Sequence, residues 1–355
     1  MKRPYIPAAA LLALAACAEP TRPPGATAMR ADVETGTHAS YRVTDLGTLG
    51  GTSNFAQRIN NHGQVIGTTS MPDGSPHVFL WDAEHGMRDL GTLGGSYSTV
   101  GGMNDDGMVV GCAGDATDTQ RAFVWTAGEG MKDIGTLGAS FACAQGVSEE
   151  GEVVGYSALV DGGPQHGFVW SKHRGMRDAG QLHGTNTQLR AVSPSGRLGA
   201  GTGNLFNHGH AHAVLWDRNA GFTDLGTLGH DPSSAFGVND RGQVVGNSLT
   251  ATFGAHAFYW DASSGMIDLV PLDGPDGYAN AGGINAHGVV VGASSTPDDV
   301  RGFIWTKQGG MRRLDGLPGE VFGQAIGLND EGAIVGTSEP GDGTIHAILW
   351  TPKDE

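Results

Sequence analysis

The chain has 355 residues, 60 of them glycine, with 16% charged residues and a formal net charge of −16. That balance excludes nucleic-acid binding, which needs clustered Lys and Arg, and docking on an anionic membrane through a basic face. Glycine does not fall at every third position, so collagen is excluded too, and a Gly-rich chain with apolar residues at fixed places fits many short strands joined by tight turns.

Residues 1–17 read as a lipoprotein-type signal. Lys2 and Arg3 precede a short apolar run, Ile6 to Ala16, too short to span a bilayer. The run ends Leu14-Ala15-Ala16-Cys17, which resembles a bacterial lipobox with Cys17 as the lipidated residue. An ordinary secretory signal cut near Ala16 or Ala18 is the alternative. Either form predicts export. Ala18 after Cys17, by resemblance to enteric lipoproteins, points towards the outer membrane. Residues 18–40, with Pro20, Pro23 and Pro24, show no periodicity and read as a flexible tether.

Residues 41–352 are a repeat body. All seven Trp close one recurring phrase, at 81, 125, 170, 216, 260, 305 and 350, spaced by 44 to 46 residues. In the first unit, strand A covers Ala56 to Asn60 and turns through Asn60-Asn61-His62-Gly63. Strand B begins at Gln64, strand C is His77 to Trp81, and strand D is Met87 to Leu90. Helical periodicity is absent. Strand A carries Gly102, Gly146, Gly237, Gly283 and Gly327 one residue before its last apolar position, with Arg58 and Ala191 as exceptions. Small residues there suit an innermost strand near an axis, where neighbouring backbones converge.

The body begins with a strand D, Tyr41 to Leu46, and ends with a strand C at Trp350. The first strand therefore supplies the missing outer strand of the last unit. This predicts an all-β fold: a seven-bladed β-propeller of four-stranded antiparallel blades, closed by residues 41–46. A parallel β-helix with two turns per repeat is the structural alternative.

The phrase His256-Ala257-Phe258, with its variants at His77, Arg121, His166, His212, Arg301 and His346, is similar to that of the HAF-repeat family of extracellular bacterial proteins. The companion Asp-Leu-Gly-Thr-Leu-Gly phrase is intact at Asp45, Asp89 and Asp224, nearly so at Asp133, and decayed at Asp178, Asp268 and Arg313. The resemblance covers residues 41–350. It implies export and a repeat fold and brings no catalytic residue with it.

Loop lengths separate two faces. From Trp to the strand D acid is eight residues, and from the strand A Asn or Ser to the turn Gly is three. The B–C span runs from 13 to 16 residues, taking Ala200 for the Gly of unit four, and the D–A span from 15 to 17. Variable loops mark the B–C/D–A face as the expected recognition face. The recurring His residues and strand D acids are expected to be structural, because an active site is used once and a structural bond in every blade.

Four further groups stand out. His208, His210 and His212 alternate, a weak candidate metal site. Asp115, Asp118, Asp161, Asp298 and Asp299 could hold Ca²⁺ but lack the spacing of a calcium motif, and solvated surface is the better reading. Cys112 and Cys143 are a candidate disulfide between adjacent blades, set against two free thiols. Arg58, Gln145, Arg190 and Gln324 are unusual polar residues on inner strands, where a central-channel enzyme would keep its site. No nucleophile, phosphate-loop or zinc motif is present and no cofactor is expected. The sequence thus favours a monomeric, lipid-anchored binding or scaffold module for an envelope or extracellular protein or glycan, meeting membrane only through Cys17. A glycan-active hydrolase or lyase is the competing class.

Overall fold

The computed structural model describes residues 30–33, 41–182, 186–205 and 210–353. All regular structure among them is β-strand. The first unit is Asn54–Ile59, Val65–Ser70, Pro76–Asp82 and Gly86–Asp89, hydrogen-bonded in that order as an antiparallel meander. The next four units form four-stranded sheets of the same kind. The strands of units six and seven join in one nine-stranded sheet through a single parallel bridge, Val300 to Phe322. In that sheet Tyr41–Asp45 pairs antiparallel with His346–Pro352. Arg30–Val33 pairs in turn with Tyr41–Thr44, so a strand lies inside the stretch read as a tether. An outer strand's edge leaves N–H and C=O groups unpaired, and this segment takes them up. The signal segment, 1–17, lies outside the described residues.

The core sits between sheets. Val110, Ala122 and Val124 of unit two pack on Ala142, Ala144 and Phe168 of unit three. Val335 and Ala347 of unit seven pack the same way on Ala56 and Phe79 of unit one. The strand C Phe is fully buried in every unit that has one, for example Phe79, Phe123 and Phe303. Its ring lies over a strand B glycine. At Gly292 a Cβ would stand 2.6 Å from the Phe303 ring and closer still to the Asn280 carbonyl. Pairing across the sheet puts Gly201, not Ala200, at this position in unit four, opposite Val214. The B–C span of that unit is therefore one residue shorter than the sequence alignment gave.

Inner strands converge as their glycines require. A Cβ on Gly102 would stand 3.0 Å from the Gly146 Cα, and one on Gly327 would stand 2.6 Å from the Gln57 carbonyl oxygen. At the adjoining turns a buried Asn reaches the next unit: Asn60 Nδ2 donates to the Asn104 carbonyl, Asn104 to Ser148, Asn239 to Asn285 and Asn285 to Asn329. Asn329 donates at 3.1 Å to the carbonyl of Asn60, 269 positions away. Units three and four carry Ser148 and Ser193 instead, too short for this reach. There the Glu149 N–H donates to Pro194 and the Ser195 N–H to the Asp240 carboxylate.

Asn285→Ala removes the donor to the buried Asn329 carbonyl and the acceptor of the His287 and Val289 N–H groups. Chemical denaturation should show a loss of about 1–3 kcal/mol; a loss within error would mean the Asn links carry no stability.

Candidate functional site

The repeated phrases set the frame on which any site must sit. Strand C and strand D pair with the acid opposite the Phe or Val two positions before the Trp, so the His two positions earlier meets the acid diagonally. His77, His166, His212 and His256 each bring Nδ1 to the acid of their own unit, at 2.7 to 3.0 Å. Arg121 does the same with Asp133. His346 finds Asp45 at 2.8 Å, 301 positions away. In unit six the acid is replaced by Arg313, and Arg301 turns to Asp299 and Glu320. The acid's other role is local: Asp45, Asp89, Asp133, Asp178 and Asp224 each accept the N–H of the Gly two residues on. Those glycines have φ between 76° and 88°, which is why the phrase reads Asp-x-Gly. Each acid thus ties strand C to the start of a D–A loop.

The face that these ties border carries the exposed apolar surface. Leu159 and Val160 lie in the B–C loop of unit three, Phe253 in that of unit five, Val270 in the D–A loop after unit five, and Val321 in the one after unit six. They are the exposed large hydrophobic residues among the described residues, between 46% and 63% accessible. Phe253 is held at φ 65°, rare for an aromatic residue, with its ring 4.0 Å from that of His230. The loop-length pattern indicated this face; the apolar side chains were not singled out by it.

Among the described residues of unit four, His210 and His212 form no metal group. His212 has both ring nitrogens occupied, Nδ1 by Asp224 and Nε2 by Asp231 at 2.7 Å. Burial opposes its charge, but the two carboxylates outweigh that and push the imidazole above its usual range. His210 is exposed, and His208 lies outside the described residues. Among the described residues no three His, Cys, Asp or Glu side chains group as a metal site. The acidic loop residues are used locally: Asp115 accepts from the Thr117 N–H and Asp299 from the Thr296 hydroxyl in their own turns, while Asp118 accepts the Ser96 N–H at the start of the facing strand A and Asp161 the Ser140 N–H of the facing D–A loop.

A second feature lies on the axis. Each inner strand has a register shift at the same place, two residues before its last apolar position, for example between Ala56 and Arg58 and between Leu189 and Ala191; the inner strands of units two and five have a second shift near their start. The bulged residues are Gln57, Gly101, Gln145, Arg190, Phe236, Gly282 and Ile326. Bulges re-aim side chains, and most of these seven line a central cavity of about 200 Å³. Arg58, Gln145 and Arg190 are brought together there; Gln324 is not among the lining residues. It sits two positions before the bulge, on the side of the variable loops. Glu149, Pro194 and Phe236 also line the cavity and were not anticipated. Glu149 and Pro194 lie in the A–B turns of their units, so the cavity belongs to the A–B end of the channel, opposite the variable loops.

Cys112 on strand B of unit two and Cys143 on strand A of unit three are joined as a disulfide across the seam, with Cα atoms 4.9 Å apart. Gln145 Nε2 approaches Cys143 Sγ at 2.9 Å.

The stacked antiparallel sheets around an axial channel define a β-propeller. No family model and no curated protein matches the chain. Solved structures do match it. It is similar to oligogalacturonate lyase in complex with manganese at 13% identity and TM-score 0.57, over 92% of this chain and 97% of that one. The β-propeller domain of the trilobed protease from Pyrococcus furiosus aligns at 10% identity and TM-score 0.55, over 85% and 94%. TolB from Acinetobacter baumannii aligns at 12% and 0.51, over 82% and 67%. At such identities the likeness shows the fold, which hosts binding proteins and enzymes alike.

Two outcomes follow from the site geometry. The hydrogen bond that His346 donates to Asp45 holds the imidazole above its ordinary value, against burial. Burial pushes the Asp45 carboxyl up, but His346 and the Gly47 N–H outweigh it and leave it low. The pair's stabilisation is therefore present below the unfolded His value of about 6.5, fades as pH rises through the raised value, and is lost again in acid through the lowered Asp value. His346→Ala should cost at most about 1 kcal/mol more near pH 5.5 than at about pH 9, since the pair is partly exposed and the neutral imidazole keeps its hydrogen bonds to Asp45 and Thr344; a pH-independent cost would refute the ionic reading. For the cysteines, intact mass without reductant should be two hydrogens below that with it. Replacing both by Ser should cost about 2–4 kcal/mol; an unchanged mass would mean free thiols.

Proposed function

We propose that this chain is an exported, lipid-anchored, seven-bladed β-propeller that serves as a binding or scaffold module for an envelope or extracellular protein or glycan. The ligand engages the B–C/D–A face. The observation that carries this is the concentration there of exposed Leu159, Val160, Phe253, Val270 and Val321. Scattered apolar residues need no explanation, but a set confined to one end of a fold does. The same loops vary in length, whereas the C–D and A–B connections do not.

Blade number and closure rest on three supports. Seven Trp phrases recur, Tyr41–Asp45 pairs with the last strand, and Asn329 donates to Asn60 across the seam. Export and anchoring rest on the Leu14-Ala15-Ala16-Cys17 segment, and residues 18–40 would hold the ring off the membrane. The HAF-type phrases agree with an extracellular setting. A monomer suits a ring whose seams are internally paired.

A glycan-active hydrolase or lyase would place its site in the channel. At about 200 Å³ the axial cavity is below the roughly 300–1,000 Å³ of ligand clefts. A polymer chain does not fit such a space, so binding is preferred.

Wild-type protein on a glycan and protein array should bind a ligand without turnover. Val160→Asp with Phe253→Asp should weaken that binding at least about tenfold, an anchor-residue effect, with the circular dichroism unchanged. Undiminished binding by the double variant would remove the face from consideration. A shortened glycan would move the protein to the enzyme class.

A further inference from the structure

The axial cavity holds a charge imbalance that the proposed loop-face function does not use. Arg58 stands where the other six units have Gly or Ala. Arg190 occupies the bulge position, where the other units have Gln57, Gly101, Gln145, Phe236, Gly282 and Ile326. Both line the same cavity, from units three apart around the channel. Elsewhere in this acidic chain arginines sit against carboxylates: Arg121 on Asp133, Arg218 on Glu152, Arg301 on Asp299. Among the described residues, neither channel arginine has such a partner. Arg58 Nη1 donates to the carbonyl of its neighbour Gln57 at 2.8 Å. Arg190 Nη2 donates to Gln188 Oε1 at 3.0 Å, its guanidinium lies 5.4 Å from the Phe236 ring centre, and its Nε is buried without a partner. Glu149, the one carboxylate in the lining, already accepts the Asp105 N–H through Oε2.

Burial pushes both guanidinium groups down from their ordinary value, yet an arginine stays charged in a protein. Two half-buried cations with no carboxylate partner are costly, and a bound oxyanion offsets that cost while satisfying the open Arg190 Nε–H. Carboxylate and phosphate both match the guanidinium fork. The small volume limits the ligand to roughly one sugar ring. We propose that the A–B end of the channel binds a small oxyanion, a carboxylate or phosphate on a molecule of at most monosaccharide size, between Arg58 and Arg190. The site faces away from the variable loops, so it is independent of the partner bound there.

The test uses the whole mature chain with inorganic phosphate or glucuronate, at ionic strength held constant with NaCl to remove general screening. Thermal unfolding should show a saturable rise in Tm with at least one of the two anions, and calorimetry should show one site. The responding probe identifies the anion class. Arg58→Gly and Arg190→Gln place residues that other units already carry there, so both should fold. Each should weaken binding by roughly tenfold or more, as expected for loss of a charged hydrogen-bonding partner, and the double variant should lose the saturable response. No saturable response to either anion, or the same response in the double variant, overturns the proposal. Loss of the loop-face ligand in Val160→Asp with Phe253→Asp, with anion binding retained, would separate the two sites.

Discussion

The structure depends on how closely neighbouring inner strands pass at the axis. A single methyl group at Gly102, Gly146 or Gly327 would already press on the next unit's backbone. That closeness lets a turn Asn span the gap to the next unit's carbonyl. It also fixes the angle between sheets, and with it the wedge that the strand C Phe and Trp must fill farther out. The strand B glycine completes the wedge by leaving room for the Phe ring against its backbone. Sheet packing, turn bonding and channel width are therefore one constraint met in three places.

Much of this was legible in the residues. The Trp spacing gave the repeat, and the fixed eight- and three-residue connections told tight turns from free loops. The His and Asp phrases stand 12 residues apart because a two-strand hairpin of that length brings its ends together; their pairing was expected in kind, though the Asp-to-Gly N–H bond that explains the Gly was not. Unit six shows the rule by exception. Once Arg313 replaces the acid, Arg301 recruits Asp299 and Glu320 from adjoining loops.

Other features were not legible because they depend on register. The inner-strand bulge changes no residue count within a unit, yet it decides that Arg190 faces the channel and that Gln324 falls outside the cavity. Gly201 was misaligned by one position because unit four carries Gly199 and Gly201 on either side of Ala200, and only pairing with strand C fixes which one lies under the core residue. The strand at Arg30–Val33 was missed because a Pro-rich segment beside an open sheet edge has no periodicity of its own to reveal it. Exposure of Phe253 and Val321 was hidden for a related reason: an apolar residue in a loop carries no mark of whether the loop folds inward.

The pairing of Tyr41–Asp45 with His346–Pro352 sets an order of events for folding. Every other sheet can form from strands adjacent in sequence, so each can collapse as it is made. Tyr41–Asp45 must wait for the last strand to arrive, and until then both are open edges. The chain's slowest contacts are thus between its two ends. Under the export proposed above, with the N-terminus crossing first, this pairing could not form until passage was complete, and the chain would remain threadable to the final strand.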